Sequence, residues 1–191
     1  MKAIVVCLIG GLGSGKTTVA EFLVGKGFRR FTYSDLVREE LQRLAVPSPD
    51  RKKLQDTGDK LREEFGEEVL GERIWEKIED ERAEKAVLDG PRSPADISLP
   101  RTKAGKFVAL ALLASPETRF SRLAKRKTGK DPHSKEDFLK DDQRDFGDGE
   151  DLTKQNTASC IQISDYKIST ERSLEAVLQE VEAILKKEGI I

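Results

Sequence analysis

A short glycine-rich segment near the start of the chain has the residue types that bind phosphate. Residues 10–17 read GGLGSGKT, which fits the pattern G-x-x-x-x-G-K-S/T. Glycines let successive backbone N–H groups converge on one anion, and the helix that follows adds the positive end of its dipole. In such a loop the lysine reaches the β- and γ-phosphates and the Thr17 hydroxyl holds Mg²⁺. We expect ATP with Mg²⁺ to bind here. The residues expected to contact ATP are Gly11, Gly13, Ser14, Gly15, Lys16, Thr17 and Thr18.

The alternative is a glycine turn that only joins a strand to a helix. The flanking sequence argues against it. Residues 3–9 form a continuous apolar run, typical of a strand that is buried on both faces of a parallel sheet. A helix with Val19, Phe22 and Leu23 on one face follows the loop. A strand, a glycine loop and a helix in this order favour a nucleotide site.

Arginine recurs in three later segments, each shortly after a predicted strand. These segments read YSDLVREEL, LDGPR and SPETRFSRLAKR. Arg119, Arg122 and Arg126 lie at positions i, i+3 and i+7, so one helix face presents all three. Phosphoryl transfer needs positive charge around the moving group and little covalent chemistry from the protein. The arginines therefore favour a kinase, although a solvated basic face paired with nearby carboxylates is the simpler interpretation.

Two carboxylates follow strands at positions where they could serve the reaction. Asp89 closes the apolar run AVLD and could hold a water on Mg²⁺, or it could be an ordinary turn residue. Asp35 follows the second strand. It could act as the base that a hydroxyl acceptor needs, or it could be the N-cap of the next helix.

The arginine segments resemble those of the nucleoside monophosphate kinase group of P-loop kinases. Adenylate-kinase-like members have SxGDxLRE and DGxPR segments, each with an arginine for the acceptor phosphate, and these arginines match Arg38 and Arg92. Two departures are the missing glycine at Ser34-Asp35 and a DGPR turn that is one residue shorter. The distal part, with SDYKISTERSLEAVLQEV, is more similar to dephospho-CoA kinase, although YSD stands where those enzymes usually have DAD.

The resemblance implies roles for further residues. Arg122 and Arg126 become clamps on the transferring phosphoryl, with Lys16 and Asp35 as the other catalytic candidates. Gln55 and Arg62, seven apart on one helix, would line the acceptor pocket, although the exposed face of a charged helix has the same pattern. The implied acceptor is a nucleoside monophosphate or dephospho-CoA. The acceptor-binding set is Asp35, Arg38, Gln55, Arg62, Asp89 and Arg92.

Strands that alternate with helices predict one α/β domain over residues 1–191, with a three-layer architecture around a parallel sheet. The resemblance implies the P-loop NTPase fold and the strand order 2-3-1-4-5. It also implies a helical acceptor-binding region over residues 35–85 and a mobile lid over residues 127–151. Inside the lid we predict a helix that Ser134 caps and Gly147 ends. We expect Phe138 and Phe146 to pin this helix to the body.

Composition limits the other possibilities. The chain has 34 Lys and Arg against 35 Asp and Glu, so no overall field favours nucleic acid or a membrane. The longest apolar run, residues 108–114, is far too short to span a bilayer. Cys7 and Cys160 lack metal-ligand spacing, and we expect reduced thiols in a cytoplasmic protein. His133, the single histidine, lies in a polar loop, where we expect a solvated side chain.

Other nucleotide-binding classes fit less well. A GTPase would have an N/T-K-x-D motif, and TKQN at residues 153–156 lacks the aspartate. An AAA-type motor would need a longer chain with a second helical domain. A regulator that hydrolyses ATP slowly and has no small-molecule acceptor remains open as an alternative to a kinase.

Overall fold

The polypeptide forms a five-stranded sheet with helices on both faces. A computed structural model describes residues 2–46, 50–126, 134–147, 151 and 153–191. The strands are β1 (Ile4–Ile9), β2 (Arg29–Thr32), β3 (Lys85–Asp89), β4 (Lys106–Leu113) and β5 (Tyr166–Ser169). Every strand pairing is parallel and the order is β2-β3-β1-β4-β5. The predicted α/β fold and strand order are confirmed.

The helices of the described residues connect these strands. None of them is long and apolar enough to cross a membrane. The helices are α1 (Lys16–Gly25), α2 (Tyr33–Arg43), α3 (Arg51–Phe65), α4 (Val69–Asp80), α5 (Pro94–Lys103), α6 (Pro116–Arg126), α7 (Lys135–Phe146), α8 (Thr157–Gln162) and α9 (Leu174–Lys187).

Three predictions about helices need correction. The side chain of Thr32, and not that of Asp35, caps α2 by accepting a hydrogen bond from the Asp35 backbone N–H. The spacing of Leu54, Gly58, Leu61 and Phe65 predicts one inner face of α3, but Phe65 is 53% exposed. Helices α5 and α8 were not predicted, because α5 carries Pro100 in its interior and α8 has only 6 residues. The predicted lid helix is α7, with Ser134 as its N-cap and Gly147 as its C-cap.

Burial on both faces explains why β1 is apolar at every position. Val5, Cys7 and Ile9 pack in the cluster that contains α2, α4 and α5. Val6 and Leu8 point the other way, into the cluster formed with α1 and α9. Because side chains alternate across a strand, a sheet covered on both sides needs apolar residues at odd and even positions alike.

The all-parallel arrangement brings the carboxyl ends of the strands to one edge of the sheet. Leu8 of β1 and Thr32 of β2 both lie in register with Asp89, the last residue of β3. Ligands of open α/β sheets bind outside these strand ends. The glycine loop, the start of α2 and the turn after β3 therefore meet at this edge.

Asp96 in α5 fixes the turn after β3. Its carboxylate is fully buried and accepts hydrogen bonds from the backbone N–H groups of Arg92 (2.7 Å) and Ser93 (3.0 Å). It also accepts from Nη2 of the buried Arg62 on α3 (2.8 Å), and its backbone carbonyl accepts from the Tyr33 hydroxyl (2.5 Å). One residue thus joins α2, α3 and α5 beside the strand ends.

Replacing Asp96 tests this role. We expect Asp96→Ala to lower the free energy of unfolding by about 3–5 kcal/mol, because Arg62 would lose its buried ion-pair partner. Lys186→Ala removes an exposed pair with Glu182 (3.1 Å) and should cost about 0.3–0.5 kcal/mol. Urea denaturation of both variants measures the difference, and equal losses would contradict the assignment.

Candidate active site

A cavity of about 530 Å³ lies at the carboxyl edge of the sheet. The glycine loop, α2, α3, the turn after β3, α6 and α7 contribute its walls. Eight of the lining side chains are cationic and two, Asp89 and Asp145, are carboxylates. This excess of positive charge suits ligands that carry several negative charges. The lining cations are Lys16, Arg30, Arg38, Arg51, Arg62, Arg92, Arg122 and Arg126.

Most of the predicted ATP-contacting residues line this cavity, but Gly11 does not. The lining part of the loop runs from residue 12 to residue 18. A Cβ on Gly11 would lie 2.5 Å from Nη1 of Arg119 and 2.9 Å from the Phe146 ring. A Cβ on Gly13 would lie 2.6 Å from the Arg119 backbone oxygen, and the φ of Gly13 is +78°. Close packing against α6 and α7 therefore requires both glycines, in addition to any need for approach to a phosphate.

Lys16 holds the loop in shape. Its ammonium donates to the backbone oxygens of Gly10 (2.8 Å) and Gly11 (2.9 Å). Removal of water by the cavity walls, together with the nearby positive charge of Arg92, lowers the pKa of Lys16 to about 7. An anionic ligand in the cavity would reverse this shift, because it favours the charged ammonium.

Asp89 pairs with an arginine that the sequence analysis did not select. Oδ2 of Asp89 accepts from Nε (3.2 Å) and Nη2 (2.5 Å) of Arg30 on β2. Oδ1 has no hydrogen-bond donor among the described residues, and Thr17 is exposed at the start of α1. One hydroxyl and one free carboxylate oxygen fit Mg²⁺, which proteins usually bind through few side chains together with substrate phosphates.

The predicted acceptor residues Gln55 and Arg92 meet at a carboxylate from α7. Oδ1 of Asp145 accepts from Nε2 of Gln55 (2.7 Å). Its Oδ2 pairs with Nη2 of Arg92 (3.3 Å) and also with Nη2 of Arg51, the first residue of α3. Gln55 is buried and lines the cavity, so the alternative of an exposed face is wrong for this residue.

The other predicted acceptor residues differ in their surroundings. Arg62 is 2% exposed, pairs with Asp96 and lines the cavity, so it too is not on an exposed face. Arg38 lines the cavity and donates to Oδ1 of Asp35 (2.8 Å). Asp35 is exposed and is not among the lining residues. Its role as a base stays a prediction that the cavity geometry does not favour.

The three arginines of α6 do not act as one face. Arg119 is buried, pairs with Asp142 of α7 and lies over the rings of Phe138 and Phe146. Arg122 lines the cavity instead. It donates to the Gly13 backbone oxygen (3.3 Å), to the Thr170 hydroxyl (3.0 Å) and to the Thr170 backbone oxygen (2.5 Å). Arg126 is exposed and also lines the cavity.

Sequence reasoning missed Arg30, Arg51, Asp145 and Thr170. A usable signal existed for Asp145, since Phe138, Asp142 and Asp145 lie at i, i+4 and i+7 and form the buried stripe of α7. Two acids on the stripe that packs inward indicate buried partners. Residues 127–133, which include His133, and residues 148–150 of the predicted lid lie outside the described residues.

Solved structures share this fold at low sequence identity. A Thermus thermophilus protein, TT1252, aligns with a TM-score of 0.59 and 19% identity, covering 98% of both chains. Shikimate kinase from Acinetobacter baumannii aligns with a TM-score of 0.54 and 14% identity over 97% of this chain and 94% of its own. A gluconokinase from Sinorhizobium meliloti aligns with a TM-score of 0.53 and 15% identity, covering 97% of this chain and 93% of its own. The chain therefore shares its fold with these two kinases and with TT1252.

Sequence comparisons give the family. A family profile described as an AAA domain matches residues 9–140. A UPF0200 protein of Hyperthermus butylicus is 32% identical over 95% of this chain and 94% of its own. A second UPF0200 protein, from Staphylothermus marinus, is 32% identical over 98% of this chain and 94% of its own. The profile places residues 9–140 in the AAA domain family, and the relatives, similar along almost their whole length, show that the chain belongs to the UPF0200 family.

Proposed function

We propose that this protein is an ATP-dependent phosphotransferase that moves the γ-phosphoryl of ATP to a small nucleotide-type acceptor, either a nucleoside monophosphate or dephospho-CoA. The observation that carries the proposal is a single cavity that joins the phosphate loop to Arg92 and Gln55. A protein that only bound ATP would not need further cations on α3 and on the turn after β3. The kinases that share this fold support phosphoryl transfer but no particular acceptor, since their identity to this chain is low.

The residues of the cavity divide into a donor side and an acceptor side. Lys16 and the loop N–H groups would hold the ATP phosphates, and Thr17 and Asp89 would hold Mg²⁺, the latter through water. Arg122 and Arg126 would stabilise charge on the transferring group. Bound Mg²⁺ neutralises charge on the phosphates.

The acceptor side consists of side chains on α2, α3 and the turn after β3. Arg38, Arg62, Arg92 and Gln55 would bind an anionic acceptor. A phosphate acceptor is already nucleophilic as an anion, so it needs no strong base. The exposed position of Asp35 therefore agrees better with a monophosphate acceptor than with a hydroxyl acceptor.

A nucleotide-dependent regulator with slow ATP hydrolysis is the second candidate. The Asp145 carboxylate favours it, because this carboxylate occupies the donors that an acceptor would use. In a regulator the acceptor side would be permanently filled and without catalytic use.

An acceptor screen tests the kinase proposal. ATP consumption is measured with nucleoside monophosphates, dephospho-CoA, shikimate and gluconate, and the products are identified by mass spectrometry. We expect strong stimulation by one nucleotide-type acceptor. Lys16→Ala should lower kcat by about a hundredfold or more, because it removes a cation from the developing charge. Lys154→Ala, at an exposed pair with Glu63, is the matched control. Slow turnover that no acceptor stimulates would support the regulator.

The lowered pKa of Lys16 predicts how ATP affinity depends on pH. Bound phosphates favour the ammonium, so binding takes up a proton once the free lysine is neutral, above pH about 7. Below this pH the lysine is already charged and contributes no slope. Above it the affinity for a non-hydrolysable ATP analogue should fall by about tenfold per pH unit. Calorimetry in two buffers measures the proton uptake. Lys16→Arg keeps the charge and should remove the slope, and an equal slope in this variant would contradict the assignment.

Arg122 should act mainly on the transition state. We expect Arg122→Ala to lower kcat by about a thousandfold, in line with other phosphate-stabilising arginines, and to change ATP affinity much less. Lys125→Ala, an exposed neighbour on α6 that does not line the cavity, is the control. Single-turnover kinetics and analogue binding separate the two effects. Equal losses of kcat and of ATP-analogue affinity would assign Arg122 to ground-state binding through its contacts with the loop.

A further inference from the structure

The Asp145 carboxylate has the surroundings of a bound anionic ligand. Its side chain is 1% exposed and is reached by Gln55, Arg92 and Arg51. These three donors, called here the anion site, come from α3 and from the turn after β3. None of them belongs to α7, which supplies the carboxylate. The donors and Asp145 all line the cavity.

The anion site is built for a fully ionised group. Burial alone would raise the pKa of Asp145, but the positive charges of Arg92 and Arg51 and the hydrogen bond from Gln55 outweigh burial and hold this pKa below its usual value. Lys16 also acts on Asp145 in the same direction. An anion in this position therefore lies within the electrostatic influence of the phosphate-binding lysine.

Helix α7 has other contacts that hold it in place. Asp142 pairs with Arg119 behind the glycine loop. Arg144 pairs with Asp56 (2.7 Å) and Asp59 (2.9 Å) of α3, and Phe138 is fully buried. Asp145 lies in the last turn of the helix, which ends at Phe146. A change of the Asp145 side-chain rotamer would release the carboxylate while Arg144, Asp142 and Phe138 keep the helix docked.

We propose that Asp145 is an internal occupant of the acceptor's anion site, and that the acceptor must carry a phosphate or carboxylate that replaces it on Arg51, Gln55 and Arg92. This inference rests on the proposed function and deepens it. Asp145 fills the anion site when the acceptor is absent. An uncharged acceptor cannot displace the carboxylate, because such an acceptor offers no substitute for the lost ion pairs. A phosphate dianion competes better than a second carboxylate, since it brings more charge to the two arginines.

Binding of small anions tests this competition without any turnover. A non-hydrolysable ATP analogue with Mg²⁺ first saturates the glycine loop, and inorganic phosphate or acetate is then titrated by calorimetry. An internal ligand that fills its site for about nine-tenths of the time weakens an external ligand about tenfold. We therefore expect Asp145→Asn to bind phosphate at least about tenfold more tightly than the wild type. A gain for either ion supports the proposal, and the larger gain assigns the anionic group of the acceptor.

Asp141→Asn is the matched control. Asp141 lies one turn earlier on α7 and pairs with Nε of Arg51 at 3.4 Å, whereas Asp145 pairs with Nη2, and Asp141 does not line the cavity. With Asp145 still in place, this variant should bind phosphate like the wild type. The double variant Asp145→Asn with Arg51→Gln should lose the gain. Should Asp145→Asn not fold, Asp145→Ser removes the same carboxylate and leaves space at the site.

Two results would overturn the inference. One is binding of both phosphate and acetate to Asp145→Asn that is equal to or weaker than binding to the wild type, which would make Asp145 a positioning residue for the arginines. The other is an equal gain in Asp141→Asn, which would reduce the effect to a general loss of negative charge. A tenfold gain in phosphate affinity in Asp145→Asn, with no active acceptor in the screen, would support the anion site and overturn the kinase proposal. An active acceptor with unchanged phosphate affinity would overturn this inference alone.

Discussion

The constraint on which this structure depends is the concentration of eight cationic side chains around one cavity. Two like charges at 4 Å repel by about 4 kcal/mol at the effective dielectric constant found near protein surfaces. The protein offsets this repulsion with carboxylates and backbone oxygens, which hold the cations at defined positions. These pairs include Arg30 with Asp89, Arg38 with Asp35, Arg51 and Arg92 with Asp145, and Arg62 with Asp96.

The carboxylates in these ion pairs differ in burial and in their access to a ligand. Asp96 is fully buried and also binds backbone N–H groups, so its pair with Arg62 belongs to the framework. Asp89 and Asp145 line the cavity, where a ligand can compete with them. The same electrostatic requirement thus produces a buried ion pair that fixes Arg62 in the cavity wall, and pairs at Asp89 and Asp145 that lie within reach of a ligand.

Helix α7 couples the two sides of the cavity. Arg119 lies between the glycine loop and α7, with Nη1 directed at the Leu12 backbone oxygen (3.4 Å) and its guanidinium paired with Asp142. Asp145, three residues further along α7, reaches the donors on α3 and the turn after β3. The position of one helix therefore affects both the phosphate loop and the donors on α3 and the turn after β3, an arrangement that suits the exclusion of water in the proposed phosphoryl transfer.

The sequence by itself determined the fold class, the strand order through resemblance, the loop that surrounds Lys16 and the limits of most helices. These features depend on local patterns: an apolar strand, a glycine loop, caps such as Ser134 and Gly147, and helical periodicity. It also identified Gln55 and Arg92 as cavity residues. The tertiary structure alone decided the pairing of the charges. Arg119 shares a predicted basic helix face with Arg122 and Arg126 but is buried and pairs with Asp142, while Asp145 meets Gln55, Arg51 and Arg92 in the cavity wall. Pairs such as Arg51 with Asp145 are 94 residues apart in sequence, and an ion pair between distant segments leaves no periodic signal, because its energy depends on three-dimensional distance and burial.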